Sequence, residues 1–540
     1  MLTLWAPRYP VAKELAADRL KSGIESMRSS GTAGSGYDQA LASGARWNVL
    51  GTFAKVLHPL YFLVAARLYG PDILGLYLVA VSILELANSI VVGGVKDGIV
   101  MLGGRGDHVR DAAHRASLYE ALSTSVLVVA LASAVVAVAV GFGGPQLVDA
   151  LFSRDETAEA LGDELGAILP ILAWTLPCMA TMELGVAATK SLMRMEYDTI
   201  IVGFLRPFSM LVAAVGVWFF SPDLAGILTA YLIAHVLLAI LAIWAFTRHF
   251  SLRELGRASL RPTLDRALLS FAVPQSLNLT FNNFITNIDK LMLGYFGVEA
   301  ALIGFYGIAA SVMRNVRHAR LAFSGAFSPI IARLHAEGRI AELEESFGVV
   351  ARWALTIAMP MLLLVLGLRQ EVLLLFHGSF TDDATFMVLL AVPPLVSCWI
   401  GLAGNIVAMT GHSRWNLLNS LLVGFANAGL NALWIPRHGL WGAALATAVA
   451  TIAVSLLQLA EARWLVGVRA RLGLVRKPLL AGLAGAAVLV LLGALGDGAW
   501  LRSAATLGAL VVYAVALRMM GIDPRDRDLL RLRRPRLPTV

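Results

Sequence analysis

YGPDILGLYLVAVS (69–82) and FGVEAALIGFYGIAAS (296–311) are one motif written twice. Each carries a glycine, an acid two residues later, a Gly-apolar-Tyr step and a small-residue run ending in serine. Each also falls between two apolar stretches of about 20 residues, the length that crosses a hydrocarbon core. Counting outward gives about fourteen such stretches, numbered here as spans 1 to 14: near 47–68, 73–95, 118–142, 166–188, 199–220, 224–247, 267–293, 300–328, 349–368, 384–410, 415–435, 439–462, 479–496 and 499–518. The motif follows span 1 and then span 7. A fainter pair, PDLAGILTA (222–230) and PRHGLWGAALATA (436–448), follows spans 5 and 11. Recurrence six spans apart predicts two six-helix halves. An even offset keeps orientation, so the halves are expected as parallel repeats about an axis along the membrane normal.

Composition agrees with an all-α polytopic membrane protein. The chain is 58% hydrophobic and 15% charged, with a mean hydropathy of +0.73. So little charge cannot cover a water-soluble domain of 540 residues. The two cysteines, Cys178 and Cys398, lie in apolar segments and build no disulfide framework. No GxxxxGK[ST] motif occurs, which excludes an ATPase of the P-loop kind within the chain.

The net charge of +8 would point to nucleic acid in a soluble protein. Here its placement excludes that reading. Most of the 44 lysines and arginines fall in loops on the side of the two termini, as in RHFSLRELGRASLRPTLDR (248–266), RWLVGVRARLGLVRK (463–477) and RDRDLLRLRRPR (525–536). The opposite loops hold Arg154, Arg369 and Arg437. Basic loops stay cytoplasmic, so both termini are expected inside. Residues 1–46 show no apolar signal-peptide core and end in the linker-like SSGTAGSG (29–36). The predicted organisation is an N-terminal extension (1–46), an N-lobe (47–247), a basic linker (248–266), a C-lobe (267–462), two further spans (463–520) and a basic tail (521–540).

Three stretches carry a family resemblance. IDKLMLGYFG (288–297), IGFYGIAASV (303–312) and FSPIIARLHAEGR (327–339) follow the order seen in bacterial polysaccharide flippases of the multidrug/oligosaccharidyl-lipid/polysaccharide superfamily. GHSRWNLLNSLLVGFANAGLNALWIPRHGLWGAALATAVA (411–450) resembles their region of spans 11 and 12. The resemblance covers about residues 40–520 and leaves the extension outside. It implies a fourteen-helix fold in the bacterial inner membrane. It also implies an undecaprenyl-diphosphate-linked oligosaccharide as substrate, destined for lipopolysaccharide or exopolysaccharide, with polysaccharide polymerase machinery as a partner. No cofactor, metal or covalent chemistry follows from it. The rival within the superfamily is a drug/cation antiporter, whose cleft should be richer in carboxylate than arginine. A sugar polymerase or ligase would need a larger extracytoplasmic loop than 143–165 or 369–383 provides.

Charged and polar residues within the spans mark the candidate site. On span 7, Asn278, Asn282, Asp289 and Gln275 share a stripe about 60° wide at 100° per residue. Such a stripe faces either a water-filled cavity or neighbouring helices through amide hydrogen bonds. Lys55 and Glu85 lie at matching depth, as do Glu183 and Arg206, so each couple is expected to pair. Asp289, Glu85 and Glu183 are also the carboxylates available for H+ or Na+ coupling. Lys290 and Arg67 lie near outer helix ends, where snorkelling accounts for them. In span 8, MRNVRHAR (313–320) places Arg314, Arg317 and Arg320 inside the bilayer without remaining acidic partners. Unpaired guanidinium groups suit a diphosphate. Lys55, Asn278 and Asn282 complete the expected binding set.

The loop 248–266 holds five arginines against two acids. A cysteine introduced by Ser259→Cys is therefore expected to resist membrane-impermeant thiol reagents in intact cells. Ready labelling there would overturn the topology.

Overall fold

A computed structural model of the chain describes residues 57–521, apart from 104–111, 153–165, 171, 193, 260–265, 377–383, 497 and the positions 318, 321–322, 324–326, 328–330 and 332. Every regular element among the described residues is helical. Span 1 runs Leu57–Tyr69, span 2 Pro71–Gly103, span 3 Ala112–Phe152 and span 4 Thr175–Ser191. Span 5 begins as a π-helix, Asp198–Leu205, and continues as Arg206–Trp218; span 6 is Leu224–Thr247. Span 7 is Arg266–Tyr295, span 8 begins with Ala300–Val316, and span 9 is Ile340–Gly367. Span 10 is bent by 46° between Ala384–Ile400 and Ala403–His412. Spans 11 and 12 share the stretch Ser413–Glu461, broken at Gly439 with φ 51°. Spans 13 and 14 are Leu472–Gly493 and Ala499–Met519. Eight described helices are long and apolar enough to cross a membrane alone, and the bent pair makes a ninth. With the shorter segments the count reaches about fourteen, as the hydropathy pattern predicts.

The internal repeat is visible in the backbone. Gly70 and Gly297, the matched glycines of the two motifs, both turn the chain in the left-handed region, at φ 86° and 71°. Glycine reaches this region at no steric cost. π-helical stretches also open span 5, at Asp198–Leu205, and close span 10, at Ala408–His412.

Span 2 joins the two halves. Near its start it crosses span 8 so closely that a Cβ on Gly75 would collide with the Ala300 carbonyl, and one on Gly304 with the Pro71 carbonyl. These two glycines occupy the same place in the repeated motif. Toward its other end span 2 runs against span 7, where a Cβ on Gly94 would strike the Ala272 carbonyl and one on Gly98 the Leu268 side chain. Small residues matter because lipid gives apolar helices no reason to associate; close backbone approach supplies the packing instead. Polar rungs reinforce the seam. The Ser82 hydroxyl faces Asn287 Oδ1 at 3.4 Å, the Ser89 hydroxyl faces Thr280 at 3.4 Å, and the Gly94 N–H donates to Ser276 Oγ at 2.8 Å.

Gly75→Ala should overpack the crossing of spans 2 and 8 at a cost of about 1–3 kcal/mol. A methyl group added at Gly216, in span 5, would have nothing within 4 Å, so Gly216→Ala is the control. Thermal unfolding of the detergent-purified variants should show a lower midpoint for the first only; equal midpoints would refute the close-crossing account.

Candidate functional site

A cavity of about 520 Å³ lies where spans 1, 2, 5, 7 and 8 converge. Its size is within the roughly 300–1,000 Å³ usual for small-ligand sites. Span 8 contributes Arg314, Arg317 and Arg320, span 7 contributes Thr286 and Lys290, span 2 Glu85 and span 1 His58. Val202, Gly203 and Pro207 close one wall. These come from the junction between the π-helical turn and the α-helix of span 5, where Pro207 occupies the first turn.

The charges in this wall are unequal. The side chains of Arg314 and Arg317 make no hydrogen bond or ion pair within the described residues. Lys290, only 6% exposed, makes none either. Arg320 is anchored: its Nη1 donates to the Gly401 carbonyl at 2.9 Å, at the bend of span 10. Against these cations the wall presents one carboxylate, Glu85. Lys55, expected to pair with Glu85, lies outside the described residues.

The other intramembrane carboxylates are spoken for. Glu183 was expected opposite Arg206, but Lys96 Nζ pairs with its Oε2 at 2.7 Å and Asn88 donates to its Oε1 at 2.9 Å. Span 2 packs against span 4 and brings Lys96 within reach of Glu183. Lys290 corrects a second expectation. Instead of snorkelling it is held in the cavity wall, because span 8 covers the azimuth it occupies. Arg67 corrects a third; it donates to backbone carbonyls of the helix after span 9.

The polar stripe on span 7 divides among three neighbours. Asp289 turns into the C-lobe, where its carboxylate accepts from Tyr306 at 2.8 Å, Asn431 at 3.0 Å and Asn427 at 3.5 Å, and also from the Thr447 hydroxyl. Gln275 donates to Asp97 of span 2 at 2.8 Å. Asn282 donates back to Asn278, at 2.8 Å to its carbonyl and 3.1 Å to its side chain, and neither residue lines the cavity. Helices that cross span 7 obliquely present a different neighbour at each depth, so one azimuth does not mean one partner. The seam residues Ser276, Thr280 and Asn287 form a second stripe, at about 160–200° from Asn278. Its legible signal was the glycine run VVGGVKDG (91–98) on the helix it faces.

Comparison with known proteins agrees with this architecture. The chain resembles the lipid II flippase MurJ in its inward closed conformation, with a TM-score of 0.66 at 14% identity, over 90% of this chain and 99% of that one. It also resembles a multidrug resistance MATE family transporter of the MOP superfamily. The inward-facing form matches with a TM-score of 0.59 at 14% identity, over 78% of this chain and 94% of that one. The outward-facing form matches with a TM-score of 0.55 at 13% identity, over 78% and 95%. At such identities the likeness is one of fold. No curated protein matches the sequence. Residues 64–385 match the family described as "Polysaccharide biosynthesis protein", which is more than half of the chain. With its helical architecture and its interlobe cavity, this chain belongs to that polysaccharide biosynthesis family.

Proposed function

We propose that the protein is a flippase that moves undecaprenyl-diphosphate-linked oligosaccharide units across the bacterial inner membrane by alternating access, for assembly of surface polysaccharide. The observation that carries this reading is the partnerless couple Arg314 and Arg317 in the cavity wall, with Lys290 beside them and Glu85 as the opposing charge. A charge at mid-membrane costs about 2.5–3.5 kcal/mol on insertion scales. Several such cations in one wall are best explained by an anion that enters and leaves. A diphosphate provides it, and guanidinium groups grip it through paired N–H donors. A cationic drug would meet repulsion here, which disfavours the antiporter reading. A cavity of this size holds the diphosphate and the sugar next to it, so the rest of the oligosaccharide requires an opening between the lobes.

The basic loops set the direction. Arg469 and Arg471, after span 12, reach Glu344 at the start of span 9, through the Arg469 N–H at 2.9 Å and the Arg471 guanidinium at 3.2 Å. This end, which also carries Arg248, Arg253 and Arg257, is assigned to the cytoplasm. The substrate then enters from the basic end and leaves at the opposite end. Coupling to an ion is assigned to Asp289. Beside its caged carboxylate, Asn431 keeps a buried side-chain oxygen with no partner among the described residues. A carboxylate and an amide oxygen together suit a small hard cation. Glu183, neutralised by Lys96, is assigned a structural role, and Glu85 faces the substrate.

Arg314→Ala and Arg317→Ala should leave membrane abundance near wild type, since each removes an unpaired cation and strands none. Transport should fall sharply, read as accumulation of lipid-linked units on the cytoplasmic face. Lysine should rescue in part if the grip is bidentate. Normal export in the double alanine variant at normal abundance would sink the assignment. For coupling, NaCl should raise the unfolding midpoint of the purified wild type above that in equimolar KCl, by the linkage of binding to stability. Asp289→Asn should abolish the difference. The absence of any difference in the wild type would exclude sodium and leave the proton.

A further inference from the structure

Between span 9 and span 10 runs a short helix, Arg369–Phe376, at the end of the bundle opposite the basic loops. The carbonyls of a helix's last turn have no intrahelical donors and carry the negative end of its dipole. Two of them are taken by the N-lobe. Arg67 Nε donates to the Leu375 carbonyl at 2.8 Å, and its Nη2 donates to the Leu374 carbonyl at 3.0 Å. Arg67 stands on a rigid mount, because the end of span 1 is fastened to span 5. Tyr69 donates to the Ala214 carbonyl and Trp218 Nε1 to the Leu68 carbonyl, both at 2.8 Å.

The other end of the same helix is held from the opposite side. Glu371, in its first turn, accepts from Arg502 Nε at 2.6 Å, in a part-buried ion pair with the start of span 14. The short helix is thus braced at its first turn by span 14 and clasped at its last turn by the N-lobe. Beneath it, Gly75 and Gly304 bring spans 2 and 8 into backbone contact at the same end.

We infer that Arg67 and the 369–376 helix form a latch that holds the cavity shut toward the face opposite the basic loops, and that spans 13 and 14 set its strength through Arg502 and Glu371. Opening the cavity on that side carries span 1 away from the short helix and breaks both Arg67 bonds at once. Lysine at position 67 has no planar fork and replaces the paired grip with a single point contact. Loss of the Arg502–Glu371 pair frees the helix to shift, so the carbonyls no longer present themselves to Arg67. The two spans outside the repeat would then have a mechanical task that neither six-helix half performs.

The inference rests on the outward assignment of that face, which the Ser259→Cys labelling tests separately. Its own test reads access and not transport, so failure of the diphosphate assignment would not disturb it. In a chain with Cys178→Ala and Cys398→Ala, Thr286→Cys supplies a thiol in the cavity wall. A membrane-impermeant maleimide is added to intact cells, and the labelling rate is scaled to protein abundance. Arg67→Gln should raise the rate roughly five- to tenfold, as loss of hydrogen bonds from a charged donor shifts a two-state population. Arg67→Lys should give a smaller rise, and Arg502→Gln should act in the same direction as Arg67→Gln. If Arg67→Gln fails to accumulate, Arg67→Lys alone carries the test. Labelling at the parental rate in the Arg67 variants at normal abundance would overturn the latch. A rise with Arg67→Gln but none with Arg502→Gln would overturn the role given to spans 13 and 14.

Discussion

The seam between spans 2 and 7 is the constraint on which the rest of the structure depends. In a bilayer no hydrophobic force drives apolar helices together, and each unsatisfied polar group is costly. The chain meets both conditions in one place. Glycines on span 2 admit the backbone of span 7, and Ser276, Thr280 and Asn287 answer with polar groups that face Gly94, Ser89 and Ser82. Because span 2 belongs to the first half and span 7 to the second, this seam sets how the halves meet. Its oblique course then decides where they part. Span 2 leaves span 7 for span 8 at the opposite end, and the cavity lies beside that crossing.

Charge within the cavity follows from what happens around it. Carboxylates elsewhere in the bundle are consumed by local partners: Glu183 by Lys96, Asp97 by Gln275, Asp289 by its ring of donors and Glu461 by Asn419. Arg320 is fixed in place by the Gly401 carbonyl and keeps its charge. The wall therefore holds Arg314, Arg317, Arg320 and Lys290 against Glu85. The excess of positive charge comes from three arginines of span 8 and one lysine of span 7, since the other carboxylates named here are held elsewhere.

Irregular backbone interrupts the described helices at Asp198–Leu205, Ala408–His412 and Ala462–Val466. The first of these opens span 5 and supplies Val202 and Gly203 to the cavity. Turns of this kind occur often at functional sites.

The spans, their order and the repeat were legible in the sequence, because each depends on local hydropathy and on spacing along one chain. The sequence also led to the expectation that Arg314 and Arg317 lie within the membrane, since span 8 would be too short if it ended before them; the structure places both in the cavity wall. Other features were decided by the tertiary structure. Lys290 looked like a snorkelling residue and stands in the cavity wall; Arg67 looked the same and clasps a helix more than 300 positions away. Glu183 took Lys96 over Arg206, and Asp289 left the stripe it shares with Asn282. The reason is common to all of them. Periodicity places a side chain on a face of its own helix, but helices cross at an angle. The neighbour opposite that face changes with depth, and only the packed bundle fixes which one it meets.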